Sequence, residues 1–122
     1  MKDNLNAGVI GLGVGESHIT GLQAHPRCKV STICDLNEEV LQTVGQRYPS
    51  CQLTVNPLSI LDDPNIDIVC IASYDDAHES QVLRALRNNK HVFVEKPLCL
   101  SGKELDNIDH EINSKPYLCI SS

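Results

Sequence analysis

The chain has 122 residues, of which 41% are apolar and 21% charged, and a formal net charge of -6. This length allows one domain with a modest core, and the scattered basic residues and scarce aromatic side chains argue against nucleic-acid binding. The chain contains no apolar run of membrane-spanning length and its N-terminus lacks the apolar core of a signal peptide, so we expect a cytoplasmic protein without a membrane partner.

A buried strand and a glycine-rich turn open the chain. The apolar stretch 7–10 predicts the strand, and a helix is predicted to begin near residue 15 and to end before Pro26. Glycines allow a tight turn and close approach of a ligand, and the free N–H groups at a helix start suit a pyrophosphate. The predicted phosphate-binding turn consists of Gly11, Leu12, Gly13, Val14 and Gly15.

A second apolar strand, 29–34, ends on Asp35, which lies 22 residues after Gly13. At about this spacing, a dinucleotide-binding unit places a carboxylate that accepts hydrogen bonds from the adenosine ribose. Its charge would repel a 2′-phosphate, and no arginine follows at 36 or 37, so NAD is favoured over NADP. The plainer alternative is that Asp35 caps the following helix.

The rest of the chain continues to alternate between helices and strands. Helices are predicted over 37–47, from 57, over 76–88 and from 101, and strands over 52–55, 66–72, 91–94 and 117–120. Short turns between them predict right-handed crossovers and an α/β fold with a doubly wound parallel sheet, a Rossmann fold. We expect six strands in the order 3-2-1-4-5-6.

Ligands of such a sheet bind beyond the carboxyl ends of its strands, where the winding reverses between strands 1 and 4. That rule brings residues that are distant in sequence to one edge. They are Gly13, Asp35, Ser73, Tyr74, Glu95 and Lys96. His18 and His78 stand at helix starts, where each either lines the same crevice or bonds to the backbone.

Six cysteines invite a disulfide or metal interpretation, but no C-x-x-C pair occurs and the two closest cysteines are six residues apart. Cys34, Cys70 and Cys119 fall within or at the ends of predicted strands, where a reduced thiol acts as a small apolar group. We therefore expect free thiols in a reducing compartment and no metal site.

Several of these motifs together resemble the nucleotide-binding domain of the glucose–fructose oxidoreductase and inositol dehydrogenase (Gfo/Idh/MocA) family, over residues 7–120. They are the glycine turn followed by His18, the strand Asp67–Ser73, His78, and the run from Lys90 to Leu98 with Glu95-Lys96-Pro97. The third glycine comes one residue earlier than in most members. Ser73-Tyr74 stands where members often carry Thr-Pro.

The resemblance implies hydride transfer between a nicotinamide cofactor and a hydroxyl or carbonyl carbon of a sugar, polyol or related small molecule. Lys96, the catalytic candidate, would lie near the nicotinamide and the reacting hydroxyl. There an ammonium whose pKa is lowered can shuttle the proton. Glu95 would orient the cofactor or this lysine, although a Glu-Lys pair is also common on solvated loops.

The candidate cofactor-binding residues are Gly11, Gly13, Val14, Gly15, Asp35, Ala72, Ser73, Tyr74, His78, Glu95 and Lys96. Family members carry a second, α+β substrate domain after the sixth strand. We expect residues 1–122 to form the NAD(P)-binding domain alone, which binds its cofactor without efficient turnover because part of the active-site wall is missing. A homo-oligomer is expected for a full-length protein.

Two other classes remain open. Methyltransferases that use S-adenosylmethionine also place a GxGxG turn after the first strand and an acid after the second. They usually carry an acidic residue two positions before the first glycine, where this chain has Val9, and they do not account for Glu95-Lys96-Pro97. The second alternative is a non-catalytic nucleotide-binding module.

Overall fold

The structure is a computed structural model, and it describes residues 5–13, 15–24, 26–72, 78–94 and 120–121. The strands are β1 (Leu5–Ile10), β2 (Cys28–Cys34), β3 (Gln52–Thr54), β4 (Ile68–Ile71), β5 (His91–Val94) and β6 (Ile120–Ser121). The helices among these residues are α1 (Glu16–Gln23), α2 (Glu38–Arg47), α3 (Leu58–Leu61) and α4 (His78–Arg87). The predicted helix from residue 101 and the first part of the predicted sixth strand, 117–119, lie outside the described residues.

The strands form one sheet in the order β3-β2-β1-β4-β5-β6, with parallel pairing throughout the described ladder. This order confirms the prediction of a doubly wound α/β fold. Its sixth position is filled by the two residues of β6, where Ile120 pairs with Val92.

Consecutive apolar residues of a strand place their side chains on opposite faces of the sheet. On one face, Val9 belongs to a cluster with Ile19 of α1 and Leu41 of α2. On the other, Ile10 belongs to a cluster with Ile60 of α3 and further residues of α4. Full burial of one such side chain contributes about 1.5–3 kcal/mol, so both helical layers are held on the sheet by apolar contact.

Helix α2 illustrates how local sequence sets an element's start. The Asn37 side chain accepts hydrogen bonds from the backbone amides of Glu39 and Val40, at 2.9 and 3.2 Å. This is the expected role of an asparagine at the N-cap. The helix thus begins at the carboxyl end of β2, directly after the segment that contains Asp35.

The described cysteines are all free, and Cys34, Cys51 and Cys70 are buried. Burial, with a smaller effect of the neighbouring Asp35 charge, raises the pKa of the Cys34 thiol to about 12. It therefore stays protonated near neutral pH and packs as an apolar group. Cys99 and Cys119 lie outside the described residues.

Within the described part of the chain, His, Cys, Asp and Glu side chains form no group of three or more that could hold a metal ion. None of the helices in the same part is both long enough and apolar enough to span a bilayer.

Candidate functional site

The last residues of four strands stand side by side at one edge of the sheet. Ile10 of β1 pairs with Cys34 of β2 and with Ile71 of β4. Ile71 in turn pairs with Val94 of β5. The segments that follow β1, β2 and β4 therefore leave the sheet at a shared carboxyl edge, and the winding reverses between β1 and β4.

Gly11 begins the turn after β1 with a φ of 89°. This left-handed backbone conformation is accessible to glycine without the strain that a Cβ would cause. Its amide donates to the Cys34 carbonyl at 2.8 Å. The first residue of the turn is thus tied to the end of the neighbouring strand.

Gly15 ends the turn and serves as the N-cap of α1. A Cβ built at this position would lie 1.9 Å from the Gly11 carbonyl oxygen and 3.2 Å from the Ala72 Cβ. Only glycine therefore fits between the end of β1 and the start of the helix. The glycine that comes one residue early in the motif allows close helix–strand packing.

Gly13, between these two, has the opposite surroundings. It is exposed, and no atom of the described residues lies within 4 Å of the place that a Cβ would occupy. Packing against the described residues therefore does not require a glycine here. The missing side chain leaves open the space above the turn, beside the start of α1, where helix N–H groups favour an anion.

Asp35 lies half-buried beside this turn. Its Oδ2 accepts a hydrogen bond from the Leu12 amide at 2.9 Å, and its Oδ1 accepts one from the Asn37 amide at 2.8 Å. The predicted alternative, that Asp35 caps the next helix, is wrong because the Asn37 side chain fills that role. Asp35 instead joins the end of β2 to the glycine turn.

His18 lies in the first helical turns of α1 and packs against β5. Its ring centroid is 5.0 Å from that of Phe93, with the ring planes at 58°. The next residue, Val94, ends β5 at the carboxyl edge. This contact joins the helix of the glycine turn to the strand that precedes Glu95 and Lys96 in sequence.

Glu16, in the first turn of α1, forms an exposed ion pair with Arg47 of α2 at 2.5 Å between Oε2 and Nη1. The hydrogen bond and the charge of Glu16 raise the pKa of the Arg47 guanidinium. The pair places a cation next to the carboxylate that stands nearest in sequence to the glycine turn.

Of the predicted site residues, the structure brings Gly11, Gly13, Gly15, Asp35 and Ala72 to the carboxyl edge, where the Ala72 amide donates to the Ile10 carbonyl at 2.7 Å. His78 begins α4, and its side chain lies outside the described residues, as do Val14, Ser73, Tyr74, Glu95 and Lys96.

Sequence reasoning overlooked two apolar side chains at this edge. Leu36 is 66% exposed directly after Asp35, and Val55 is 42% exposed directly after β3. Cys34 pairs with Thr54, so these residues follow neighbouring strand ends. Each is an apolar residue at or shortly after the end of a predicted strand, Val55 as the last residue of the predicted strand 52–55 and Leu36 two residues after the predicted strand 29–34. This position is the one sequence signal that could have identified them.

Comparisons with known proteins agree with this geometry. A family model described as an oxidoreductase family with an NAD-binding Rossmann fold matches residues 5–121. An inositol 2-dehydrogenase/D-chiro-inositol 3-dehydrogenase of Shouchella clausii is 38% identical over 102 residues, which are 80% of this chain and 29% of that protein. The chain spans about a third of the length of the curated relatives that it matches.

The chain is also similar in structure to solved inositol dehydrogenases. The crystal structure of myo-inositol 2-dehydrogenase from Lactobacillus plantarum has a TM-score of 0.89 at 29% identity, covering 98% of this chain and 36% of that one. Myo-inositol dehydrogenase from Lactobacillus casei, in complex with NAD(H) and myo-inositol, has a TM-score of 0.83 at 30% identity, with 92% and 34% covered.

Proposed function

The chain belongs to the Gfo/Idh/MocA oxidoreductase family with its NAD-binding Rossmann fold, and from this premise we propose that it binds NAD(H) at the carboxyl edge of its sheet. One observation carries the proposal. Gly13 has open space where a Cβ would be, while the glycines on either side of it are required by φ or by packing. A glycine that packing among the described residues does not need is what close approach of a pyrophosphate to the backbone would require.

The Asp35 carboxylate fits the adenosine ribose. Each carboxylate oxygen has about two acceptor positions, and each uses one of them for a backbone amide. The remaining positions can accept from the 2′ and 3′ hydroxyls, whereas a 2′-phosphate would meet a negative charge. We therefore favour NAD over NADP as the cofactor.

The exposed side chains of Leu36 and Val55 supply apolar surface beside Asp35. An adenine ring attached to a ribose held there would cover part of this surface, and burial of apolar area favours binding. The protein groups follow the same order as the parts of the cofactor. The Leu36 and Val55 side chains correspond to adenine, the Asp35 carboxylate to ribose and the open turn to pyrophosphate.

Within a longer protein, we propose that this site serves hydride transfer to or from a hydroxyl or carbonyl carbon of a polyol or sugar. When bound, NAD accepts or donates the hydride. Lys96 would hold or accept the hydroxyl proton, and Glu95 would orient the cofactor or this lysine. The names of the relatives from Shouchella clausii and Lactobacillus support an inositol-like substrate.

Further roles remain proposals. Val14, Ser73, Tyr74 and His78 would complete the cofactor crevice through their position after strand ends or at helix starts. We also propose a cytoplasmic location, because the described cysteines are free thiols. A homo-oligomer would form through parts of the protein outside this domain.

The decisive experiment is a calorimetric titration of the 122-residue chain with NADH, NADPH and S-adenosylmethionine. We expect binding of NADH, at least tenfold weaker binding of NADPH because of the Asp35 charge, and none of S-adenosylmethionine. A preference for S-adenosylmethionine would overturn the dehydrogenase assignment. A preference for NADPH would overturn the role proposed for Asp35.

A further inference from the structure

The glycine turn is tied to the end of β2 by two consecutive amides. The Gly11 amide donates to the Cys34 carbonyl at 2.8 Å, and the Leu12 amide donates to Oδ2 of Asp35 at 2.9 Å. The first bond joins backbone to backbone and is independent of side-chain identity. The second exists only because residue 35 carries an acceptor on a short side chain.

Leu12 is also held from the opposite direction. Its side chain is 1% exposed and belongs to the core cluster that contains Ile19 of α1. The side chain anchors the residue in the core, and the carboxylate fixes the direction of its amide. Leu12 lies between Gly11 and Gly13, so these two contacts together set the path of the backbone through the turn.

The carboxylate is itself fixed by its second oxygen. Oδ1 of Asp35 accepts from the Asn37 amide at 2.8 Å, a bond that spans two residues and closes a local turn before α2. The carboxylate therefore has both oxygens on backbone donors before any ligand arrives. Hydrogen bonds to a charged acceptor are among the stronger ones in proteins.

We infer that Asp35 is a positioning residue that holds the glycine turn in its phosphate-binding conformation, in addition to contacting the ribose; this inference rests on the proposed function. The carboxylate then acts on two parts of the cofactor, on the ribose directly and on the pyrophosphate through the Leu12 amide. Replacing Asp35 to admit NADPH would remove the repulsion of the 2′-phosphate but would also loosen the turn. We expect such a variant to bind neither cofactor tightly.

The test combines a protein change with a ligand change. Wild-type protein and Asp35→Ala are titrated with NADH and with an NADH analogue whose adenosine ribose lacks both hydroxyls. If Asp35 acted through the ribose alone, both proteins would bind the analogue equally. We expect Asp35→Ala to bind the analogue about tenfold more weakly than wild type, the effect of losing one charge-assisted hydrogen bond.

Two further variants separate positioning from general damage to the fold. Asp35→Asn keeps one acceptor oxygen and is expected to regain part of the lost affinity for the analogue. Asp67→Ala is the matched control, because the Asp67 carboxylate also accepts a backbone amide, that of Asn6 at 3.0 Å, but at the other edge of the sheet. It is expected to lower the unfolding midpoint and to bind both ligands as wild type does.

Hydrogen exchange of the Leu12 amide, followed by NMR without ligand, gives an independent readout. We expect protection in wild type and Asp67→Ala, and fast exchange in Asp35→Ala. Equal affinity of wild type and Asp35→Ala for the analogue, with unchanged Leu12 exchange, would overturn the inference while the proposed function stands. Failure of the wild type to bind NADH would instead overturn the proposed function.

Discussion

The two edges of the sheet carry similar residue types but use them differently. At the amino edge, Lys90 is 2% exposed and its ammonium donates to the carbonyls of Asp63 and Ile66, at 2.5 and 2.7 Å. The Asp67 carboxylate accepts from Asn6 in β1, and its backbone carbonyl accepts from the amide of His91. The described polar groups of this edge bond to one another and hold the strands in register.

At the carboxyl edge, by contrast, several described groups have space or hydrogen-bonding positions that a ligand could use. Gly13 faces open space, Asp35 has acceptor positions left over, and Leu36 is the most exposed of the large apolar side chains that the structure describes. Open space, unused acceptors and exposed apolar side chains would destabilise a protein interior. Because they lie at one edge of the sheet, the residues that stabilise the fold are largely separate from those proposed to bind the cofactor. The comparison predicts that variants at the amino edge change stability without changing affinity, and that most variants at the carboxyl edge do the reverse.

The largest effect is expected from Gly15→Ala, which breaks this division because the residue serves both purposes. Its Cβ would lie 1.9 Å from the Gly11 oxygen, a backbone atom that cannot move without distorting the turn. We expect a loss of about 3 kcal/mol in the free energy of unfolding, at the upper end for overpacking, together with loss of NADH binding. Urea unfolding and calorimetry measure the two effects.

Gly21→Ala is the control for that variant, because Gly21 lies in α1 and no described atom lies within 4 Å of the place that its Cβ would occupy. Alanine there is expected to raise the free energy of unfolding by about 0.5–1 kcal/mol. If Gly15→Ala were as stable as Gly21→Ala, the close packing of β1 against α1 would be refuted.

At the amino edge, Lys90→Met is expected to cost about 1–3 kcal/mol of unfolding free energy, because one buried and one partly buried carbonyl lose their donor. The dissociation constant for NADH should not change. Stability is measured by urea unfolding and affinity by calorimetry. Weakened NADH binding in a folded Lys90→Met protein would contradict the separation of the two edges.

Lys90 also gives a pH signature. Burial lowers its pKa from 10.5, against the opposing charges of Asp63, Asp67 and Asp62. Between the folded pKa and 10.5 the unfolded chain binds more protons than the native protein, so this group makes stability rise with pH in that window. The raised pKa of Cys34 has the opposite effect on stability at alkaline pH, but it is common to both proteins. We therefore expect the stability of the wild type relative to that of Lys90→Met to rise with pH in that window, measured by unfolding both proteins at a series of alkaline pH values.

A smaller effect is expected from Leu36→Ser, which removes apolar surface from the carboxyl edge. NADH affinity should fall about fivefold, as expected for losing contact with part of one exposed leucine, with unchanged unfolding. Leu58→Ser is the control, because Leu58 is also exposed, at 42%, but lies on α3. Equal losses of affinity in the two variants would remove Leu36 from the adenine surface.

The smallest effect is expected from Arg47→Ala, which leaves the Glu16 carboxylate near the glycine turn without its ion-pair partner. NADH binding should weaken about twofold at low ionic strength, and the difference should vanish in high salt because exposed charges are screened. Calorimetry at two salt concentrations measures it. A difference that persists in high salt would point to a cause other than charge.

The strand order and both helical layers followed from sequence, because the alternation of apolar strands with amphipathic helices leaves few parallel arrangements. Spacing alone also predicted Gly13 and Asp35 as cofactor-binding residues, and the structure brings both to the carboxyl edge. The pattern did not reveal that packing among the described residues requires a glycine at position 15 but not at position 13, because the sequence has the same residue at both. It also missed the bond between the Leu12 amide and Asp35, because apolar periodicity describes side chains and not the direction of a single amide in a turn.

The central claim is that the space above Gly13 receives the cofactor, and NADH titration of Gly13→Ala beside Gly21→Ala tests it most directly. Neither added methyl group meets a described protein atom within 4 Å, so both variants should fold as wild type. We predict at least tenfold weaker NADH binding for Gly13→Ala, because its methyl group would occupy the place of the pyrophosphate, and unchanged binding for Gly21→Ala. Wild-type affinity in Gly13→Ala would contradict the account.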